Sequence, residues 1–561
     1  MIWDLQQAID QLDSGRVMLG SVAFLHVLKQ HEGKVQSVAF SNDGTYLSTL
    51  GGEDDNNLVI WNVASGKPVC GYPAAADSEP ALSCKWLHNR NDRFVTIGHC
   101  HVKVWQLDVS QPRLRAVDAK LGPLRRVFSC VDITVDDEFA YCGTTTGDLV
   151  KIKISRDEIH SDNDPDGNVP NLIGVSTDRI PKGVTTVCIV ENSHTGNHNI
   201  ACGGGDGTIT YMNPSLSCVK KNTNILQGGI TSICSNPVTG RLLVMTAQSN
   251  RYDLSRDLLD ATLVSSCHHG PVQDISFPKN CSELLVSSSL GDVRIWNVSK
   301  KKELLRVQIP SVDCLTTIIT NSGALVITGW DDGKIRAFTP ETGKLKFAIN
   351  DAHDKVTSLA AVDDDGVGDQ SWRLISGGED GKVRVWNITS THRNLVISLK
   401  EHRGAVNDIR VNRDRSECVT ASADGSCIVW DLQKYVRLLA FYEPNVFRSV
   451  VYHPDESQYM TCGSNRKLTY WDAANGEALR EIEGGAGTLT ALDVEPLEGR
   501  FVVSGGEDRL VKVWHYDEGA TLAVGTGHSG VISAVKISPD LKTIASAGSS
   551  GEIILWELPE F

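Results

Sequence analysis

A chain of 561 residues and 61.0 kDa exceeds one ordinary domain and has room for two, each with its own core. Hydrophobic residues at 41% and charged residues at 22% give the balance of a globular protein, which excludes the disordered and membrane-embedded classes. A formal charge of −15 opposes long-range attraction to phosphate, so nucleic acid is not expected as a partner.

The chain opens MIWDLQQAID, with Asp4 where a secretory leader carries basic residues. The most apolar nearby stretch, residues 17–28, is far short of a bilayer span, so neither secretion nor a membrane anchor is expected. Fifteen cysteines with no C-x-x-C pair fit reduced thiols of the cytoplasm, packed as small apolar side chains. Then one phrase begins to recur. It reads GGEDDNNLVIWNV at Trp61, GHCHVKVWQL at Trp105, TTTGDLVKIKI at Ile152, GGDGTITYMN at Tyr211 and QSNRYDLS at Tyr252. It continues as SSLGDVRIWNV at Trp296, WDDGKIRAFT at Phe338, SGGEDGKVRVWNI at Trp386 and ASADGSCIVWDL at Trp430. CGSNRKLTYWDA at Trp471, SGGEDRLVKVWHY at Trp514 and AGSSGEIILWEL at Trp556 complete the series. The spacings from Trp61 are 44, 47, 59, 41, 44, 42, 48, 44, 41, 43 and 42 residues, the period of a four-stranded WD-type propeller blade.

Each unit carries the grammar of a blade: short β-branched runs of alternating polarity separated by Gly/Asp turns, with no long helical period. The expected architecture is all-β, two tandem WD-repeat β-propellers, nominally seven-bladed each. The first propeller spans residues 1–256, with blades ending near Trp3, Trp61, Trp105, Ile152, Tyr211 and Tyr252, and the second spans residues 257–561. The chain stops five residues past Trp556, so the last blade needs an outer strand from elsewhere, and residues 261–268 (ATLVSSCH) are expected to supply it. Met1-Ile2-Trp3-Asp4 reads as the tail of a third strand, so the first propeller is expected to be incomplete at its N-terminus, by on the order of 60 residues at the blade period.

In the blade ending at Trp386, His353, Ser376, Asp380 and Trp386 fall at the spacing of the WD-repeat tetrad, and His402, Thr420, Asp424 and Trp430 repeat it one blade later. A lone Ser/His/Asp set invites a hydrolase reading. Recurrence at the blade period argues instead for side chains that satisfy one another inside a sheet, so no catalytic site is expected. Leu290 and Ser550, at the turn-Asp position, mark blades expected to lack the full set. Residues 162–168 (DNDPDGN) imitate the start of a calcium loop, but its twelfth position is Ile173 and no helices flank it. Residues 203–207 (GGGDG) lie between strands rather than opening a helix, so no phosphate cradle is expected. Isolated histidines such as His268 and His269 lack zinc-ligand spacing, so neither metal nor cofactor is expected. The sequons at Asn297 and Asn387 carry no glycan meaning in a cytosolic chain.

Over essentially its whole length the sequence resembles the cilia- and flagella-associated protein 52 family. The match rests on LGGEDDNNLVIWNV with VCGYPAAA, YCGTTTGDLVKI, LQGGITSI, DDGKIRAFTPETGKL, ECVTASADGSCIVWDL, and LVKVWHYDEG with VGTGHSGVI. GTTTGDL, LQGGITSI and IRAFTPETG weigh most, because GGEDG-type turns occur in all WD proteins. The resemblance implies two seven-bladed propellers, of which this chain lacks the first blade and most of the second. It also implies a structural microtubule inner protein of the ciliary and flagellar axoneme. Such a protein lines the B-tubule near the inner junction, bound to α/β-tubulin and neighbouring junction and inner proteins. An acidic chain meets an acidic lattice through local basic loops. Candidates are Arg113, Arg115, Lys120, Arg125 and Arg126 after Trp105, Lys220 and Lys221 after Tyr211, and Lys300, Lys301 and Lys302 after Trp296. The insertion at residues 155–183 exceeds hairpin length and is expected either to dock a partner or to be disordered. The competing reading is a soluble WD-repeat adaptor of a signalling or ubiquitin-ligase complex, holding a peptide over a channel mouth that clusters exposed Arg and aromatic residues.

Overall fold

The computed structural model describes residues 2–3, 24–26, 28–74, 79–154, 169–191, 198–222, 225–236, 238–362 and 371–558. The described residues form antiparallel sheets without helices, grouped into two compact units that divide between Ser266 and Cys267.

One sheet shows why these residues fold as they do. Glu417–Ser422 and Ser426–Asp431 alternate β-branched and small residues and pair from Glu417↔Asp431 to Ala421↔Cys427. The turn between them bends at Gly425, whose φ of 82° and whose 2.6 Å approach, at a built Cβ, to the Glu443 carbonyl both exclude a side chain. Val406–Val411 lies inside this pair and Arg437–Tyr442 outside it. The pairing to the outer strand shifts at Val429/Trp430, and the same shift recurs at Trp61, Trp296, Trp386, Trp471 and Trp514. A bulge at each tryptophan sharpens the local twist where the indole packs. The core lies between sheets rather than within one: Val419, Val429 and Phe441 pack with Phe447, Tyr459 and Trp471 of the next sheet.

The first unit runs through five four-stranded sheets whose inner strands are Val35–Phe40, Ala81–Trp86, Phe128–Ile133, Val184–Glu191 and Ile230–Ser235, each packed on the next. A two-stranded pair, Ile2–Trp3 with Phe24–His26, precedes them. At the two ends of this run apolar side chains stay exposed, Val38 at 60%, Phe40 at 53% and Met245 at 48%. The insertion at 155–183 is partly a strand: Asn171–Val175 pairs with Leu149–Lys153 as the fourth strand of its sheet. Residues 155–168, including the calcium-like 162–168, lie outside the described residues.

In the second unit the inner strands close a ring. Val272–Ser276 neighbours the end of Lys302–Ile319, followed by Val356–Val362, Val406–Val411, Phe447–Tyr452, Leu489–Val494 and Ile532–Ile537, which packs back on Val272–Ser276. Lys302–Ile319 is continuous, the outer strand of one sheet at its start and the inner strand of the next at its end, which joins the two as a six-stranded sheet.

Two expectations are corrected. Ala261–Ser266 does not close the last sheet; it pairs with Asn250–Leu254 as the outer strand of the first unit, so the division falls ten residues later than 256/257. The last sheet, Ile532–Ile537, Thr543–Gly548 and Ile553–Glu557, has three strands among the described residues. It meets the first sheet by packing Ala534, Ala545 and Ala547 against Val272, Ile275 and Leu285.

Candidate functional site

The tetrad residues form hydrogen-bond relays. Trp386 Nε1 donates to Ser376 Oγ at 2.9 Å, Ser376 meets His353 Nε2 at 2.8 Å, and His353 Nδ1 meets Asp380 Oδ1 at 2.8 Å. With His353 neutral and its proton on Nδ1, each donor finds one acceptor. The second copy is longer: Trp430 to Thr420 at 3.0 Å, Thr420 to His402 Nε2 at 2.8 Å, and His402 Nδ1 to Ser426 Oγ at 2.8 Å. Ser426 then donates to Asp424. Asp424 therefore acts through Ser426, its carboxylate standing 3.4 Å from His402.

The relay recurs beyond these two blades, and the two blades marked as degenerate are complete. His268 binds Ser287 at 2.6 Å and Asp292 at 2.7 Å, and Trp296 donates to Ser287 at 2.7 Å. His528 binds Ser546 at 2.6 Å and Glu552 at 3.1 Å, with Trp556 on Ser546 at 2.7 Å. Leu290 and Ser550 are not losses, because the carboxylate has moved two positions onward to Asp292 and Glu552. His31, Thr49, Asp55 and Trp61 make a further relay in the first unit. A constellation repeated with the sheets, its histidines buried, is internal bracing.

Burial holds His268, His353, His402 and His528 below their ordinary range, outweighing the carboxylate contacts that raise them. The unfolded chain, whose histidines keep the ordinary value of 6.5, takes up protons first as the pH falls through that value. Unfolding stability is therefore expected to be full above about pH 7 and to decline below it. Calorimetry of the full chain at about pH 7.5 and about pH 5.5 checks this, and an unchanged transition temperature contradicts it.

A second recurring device links neighbouring sheets. Asp132 accepts from Ile189 N at 2.8 Å, Asp274 from Thr317 N at 3.0 Å, Asp408 from Val450 N at 3.1 Å and Asp493 from Ile537 N at 2.9 Å. In each case an inner-strand carboxylate clasps the backbone of the next inner strand. Hydroxyls do the reciprocal work, Thr185 donating to Ile230 O, Thr357 to Val406 O and Thr490 to Ile532 O. Ser533 donates to Val272 O at 2.5 Å and so links the last inner strand of the second unit to its first. These inner strands enclose a channel of about 200 Å³ lined by Asp274, Thr317, Asp408, Arg410 and Lys536, among others. Burial raises Asp274 above the usual carboxylate range. Burial would do the same to Asp408, but Arg410 and Lys536 outweigh it and hold it low.

The structure does not gather the candidate basic residues into one patch. Arg113 and Arg115 lie on the outer strand Arg113–Asp118 and face Asp108 at 3.8 and 3.6 Å. Lys120 and Arg125 are exposed in the connection that follows, where Arg125 bonds the Gly122 and Leu124 carbonyls. Arg126 is committed inward, its Nε 2.8 Å from the buried Asp148 carboxylate, which Arg179 also reaches at 3.2 Å. Lys220 and Lys221 sit on the outer strand Cys218–Lys221; in the second unit exposed Lys300 and Lys301 lie on a turn and exposed Lys302 opens the strand Lys302–Ile319. The inner-strand carboxylates escaped the sequence reading, although V-D-I, Q-D-I, N-D-I and L-D-V recur at the middle of first strands and provide a signal.

The family described as "WD domain, G-beta repeat" matches residues 23–62, 261–297, 344–387, 393–431, 476–515 and 519–557. "Cilia- and flagella-associated protein 52" of Chlamydomonas reinhardtii is 40% identical over 99% of this chain and 85% of its own length. The proteins of that name from Bos taurus and Homo sapiens are each 37% identical over 95% of this chain and 82% of theirs.

Proposed function

The chain belongs to the cilia- and flagella-associated protein 52 family, WD-repeat proteins of cilia and flagella, and from that premise we propose that it is a structural microtubule inner protein of axonemal doublets. In this reading it lines the B-tubule near the inner junction and stiffens the doublet by holding tubulin and neighbouring junction proteins. Its work is presentation of rigid surfaces rather than catalysis. The observation that carries the reading is the family relation over nearly the whole chain. The relays support it, because the Ser/His/Asp sets that could suggest turnover are spent on bracing sheets.

Contact with an acidic lattice falls to cations that remain free to turn outward. Arg125, Lys221 and Lys300 to Lys302 are exposed, whereas Arg126 is held by Asp148. Fractionation of purified axonemes tests the proposal. The protein is expected to stay with the doublets through detergent and moderate salt, and release with the soluble matrix overturns it. Exposed ion pairs weaken as salt screens them, so high salt is expected to release it progressively.

A further inference from the structure

The channel of the second unit opens at the turns between first and second strands into a funnel of about 770 Å³, and Arg410 lines both spaces. The acceptors here are already engaged. Asp274 accepts from Ile275 N, Thr316 Oγ1 and Thr317 N, at 2.9 to 3.0 Å. Asp408 accepts from Ser449 Oγ at 2.6 Å as well as Val450 N. At the mouth Glu456 accepts from Arg413 N, and Asp540 from Ser538 Oγ at 2.6 Å and Lys542 N at 3.3 Å.

The donors are in the opposite state. Lys536 points its charge at this space and makes no hydrogen bond or ion pair among the described residues, and neither do the exposed side chains of Lys279 and Arg413 at the mouth. Arg410 forms ion pairs with Asp408 at 3.4 Å and Asp493 at 3.9 Å, yet its Nε is buried without a hydrogen bond. Thr317, 1% exposed, has an unpartnered hydroxyl beside the channel. Asp274, Asp408 and Asp493 balance these charges without accepting a hydrogen bond from Lys536 Nζ or Arg410 Nε, so what is unmet is a hydrogen-bond acceptor, and one bearing charge suits two cationic donors. The rim is apolar, with Leu497 58% exposed beside Pro454, Pro496, Pro539 and the half-buried Tyr452.

We infer that this funnel receives the carboxylate side chain of an extended partner segment, the carboxylate passing Arg413 and Lys279 to reach Arg410 and Lys536 while apolar flanking residues rest on Leu497 and the prolines. Glu456, Asp493 and Asp540 at the mouth disfavour dense polyanions, which points to one carboxylate in an apolar sequence rather than to phosphates or nucleic acid. This goes beyond the axonemal reading and does not rest on it, since it concerns the purified chain alone.

The test uses the full-length protein and a fluorescein-labelled decapeptide with a single central glutamate between leucines, against the same peptide with glutamine. Fluorescence anisotropy is expected to show the glutamate peptide binding about ten-fold more tightly, the discrimination of a charge-assisted bond. Lys536→Met is expected to abolish that preference, and Arg413→Ser, at the exposed rim, to reduce it several-fold. Equal binding of the two peptides overturns the inference. So does a glutamate preference that stays undiminished at about ten-fold in Arg413→Ser, which decides the matter if Lys536→Met fails to fold.

Discussion

Replacing Asp408 with alanine is expected to destabilise the second unit by about 3 kcal/mol or more. The side chain holds two groups of the neighbouring inner strand, Ser449 Oγ and Val450 N, and offers Arg410 its nearest carboxylate oxygen at 3.4 Å. Ser449 and Val450 are buried, so removal leaves two donors without acceptors and a guanidinium without its close counter-charge. Hydrogen exchange followed by mass spectrometry on the full chain is expected to show lost protection in Val406–Val411 and Phe447–Tyr452, with the first unit unchanged. The double replacement Asp408→Ala with Arg410→Met is expected to cost less than Asp408→Ala alone, because it removes the stranded cation along with its partner. A double variant that is the weaker of the two shows that Asp408 does not act through this network.

Thr420→Val is the second large expected loss, about 2–5 kcal/mol, although the two side chains have nearly the same shape. Valine leaves the Trp430 indole N–H without an acceptor and His402 Nε2 without its hydroxyl partner, and all three residues are buried. Each buried orphan costs about 1–3 kcal/mol. Thr420→Ser keeps the hydroxyl and removes one methyl group, so it is expected to cost about 1 kcal/mol. Urea unfolding of the three proteins separates the cases, and equal loss in the valine and serine variants means that packing, not the relay, sets stability here.

The blade period could be read from the chain because the tryptophan at the bulge and the glycine at the turn are each demanded by local geometry. Gly425 and Trp430 are examples of residues whose backbone requirement leaves little choice. The carboxylate of the relay is less constrained. It can stand in the turn, as Asp380 does, or two positions further on, as Asp292 within Leu284–Asn297 and Glu552 just before Ile553–Glu557 do, and still reach its histidine. The shared 28-residue separation of His268 from Trp296, His402 from Trp430 and His528 from Trp556 is the signal that survives this drift. The division between the units was misplaced for a different reason. The repeat as a sequence begins with an outer strand, at residue 261, whereas the sheet as a structure begins with an inner one, Val272–Ser276. Asp274, Asp408 and Asp493 are not legible as clasps in the sequence, because a mid-strand carboxylate in an alternating pattern reads as facing water. Arg126 reads as a surface cation in the sequence because its partner Asp148 lies beyond a turn and two strands.

The ring of the second unit is continuous chain everywhere except between Ile532–Ile537 and Val272–Ser276. There the described contacts are side-chain packing, the Ser533 bond to Val272 O, and Asp540 N on Ser282 Oγ at 3.0 Å. Among the described residues this seam is held by packed side chains and single hydrogen bonds, whereas each ladder is held by a run of backbone bonds, so load across the ring bears here on far fewer directional contacts.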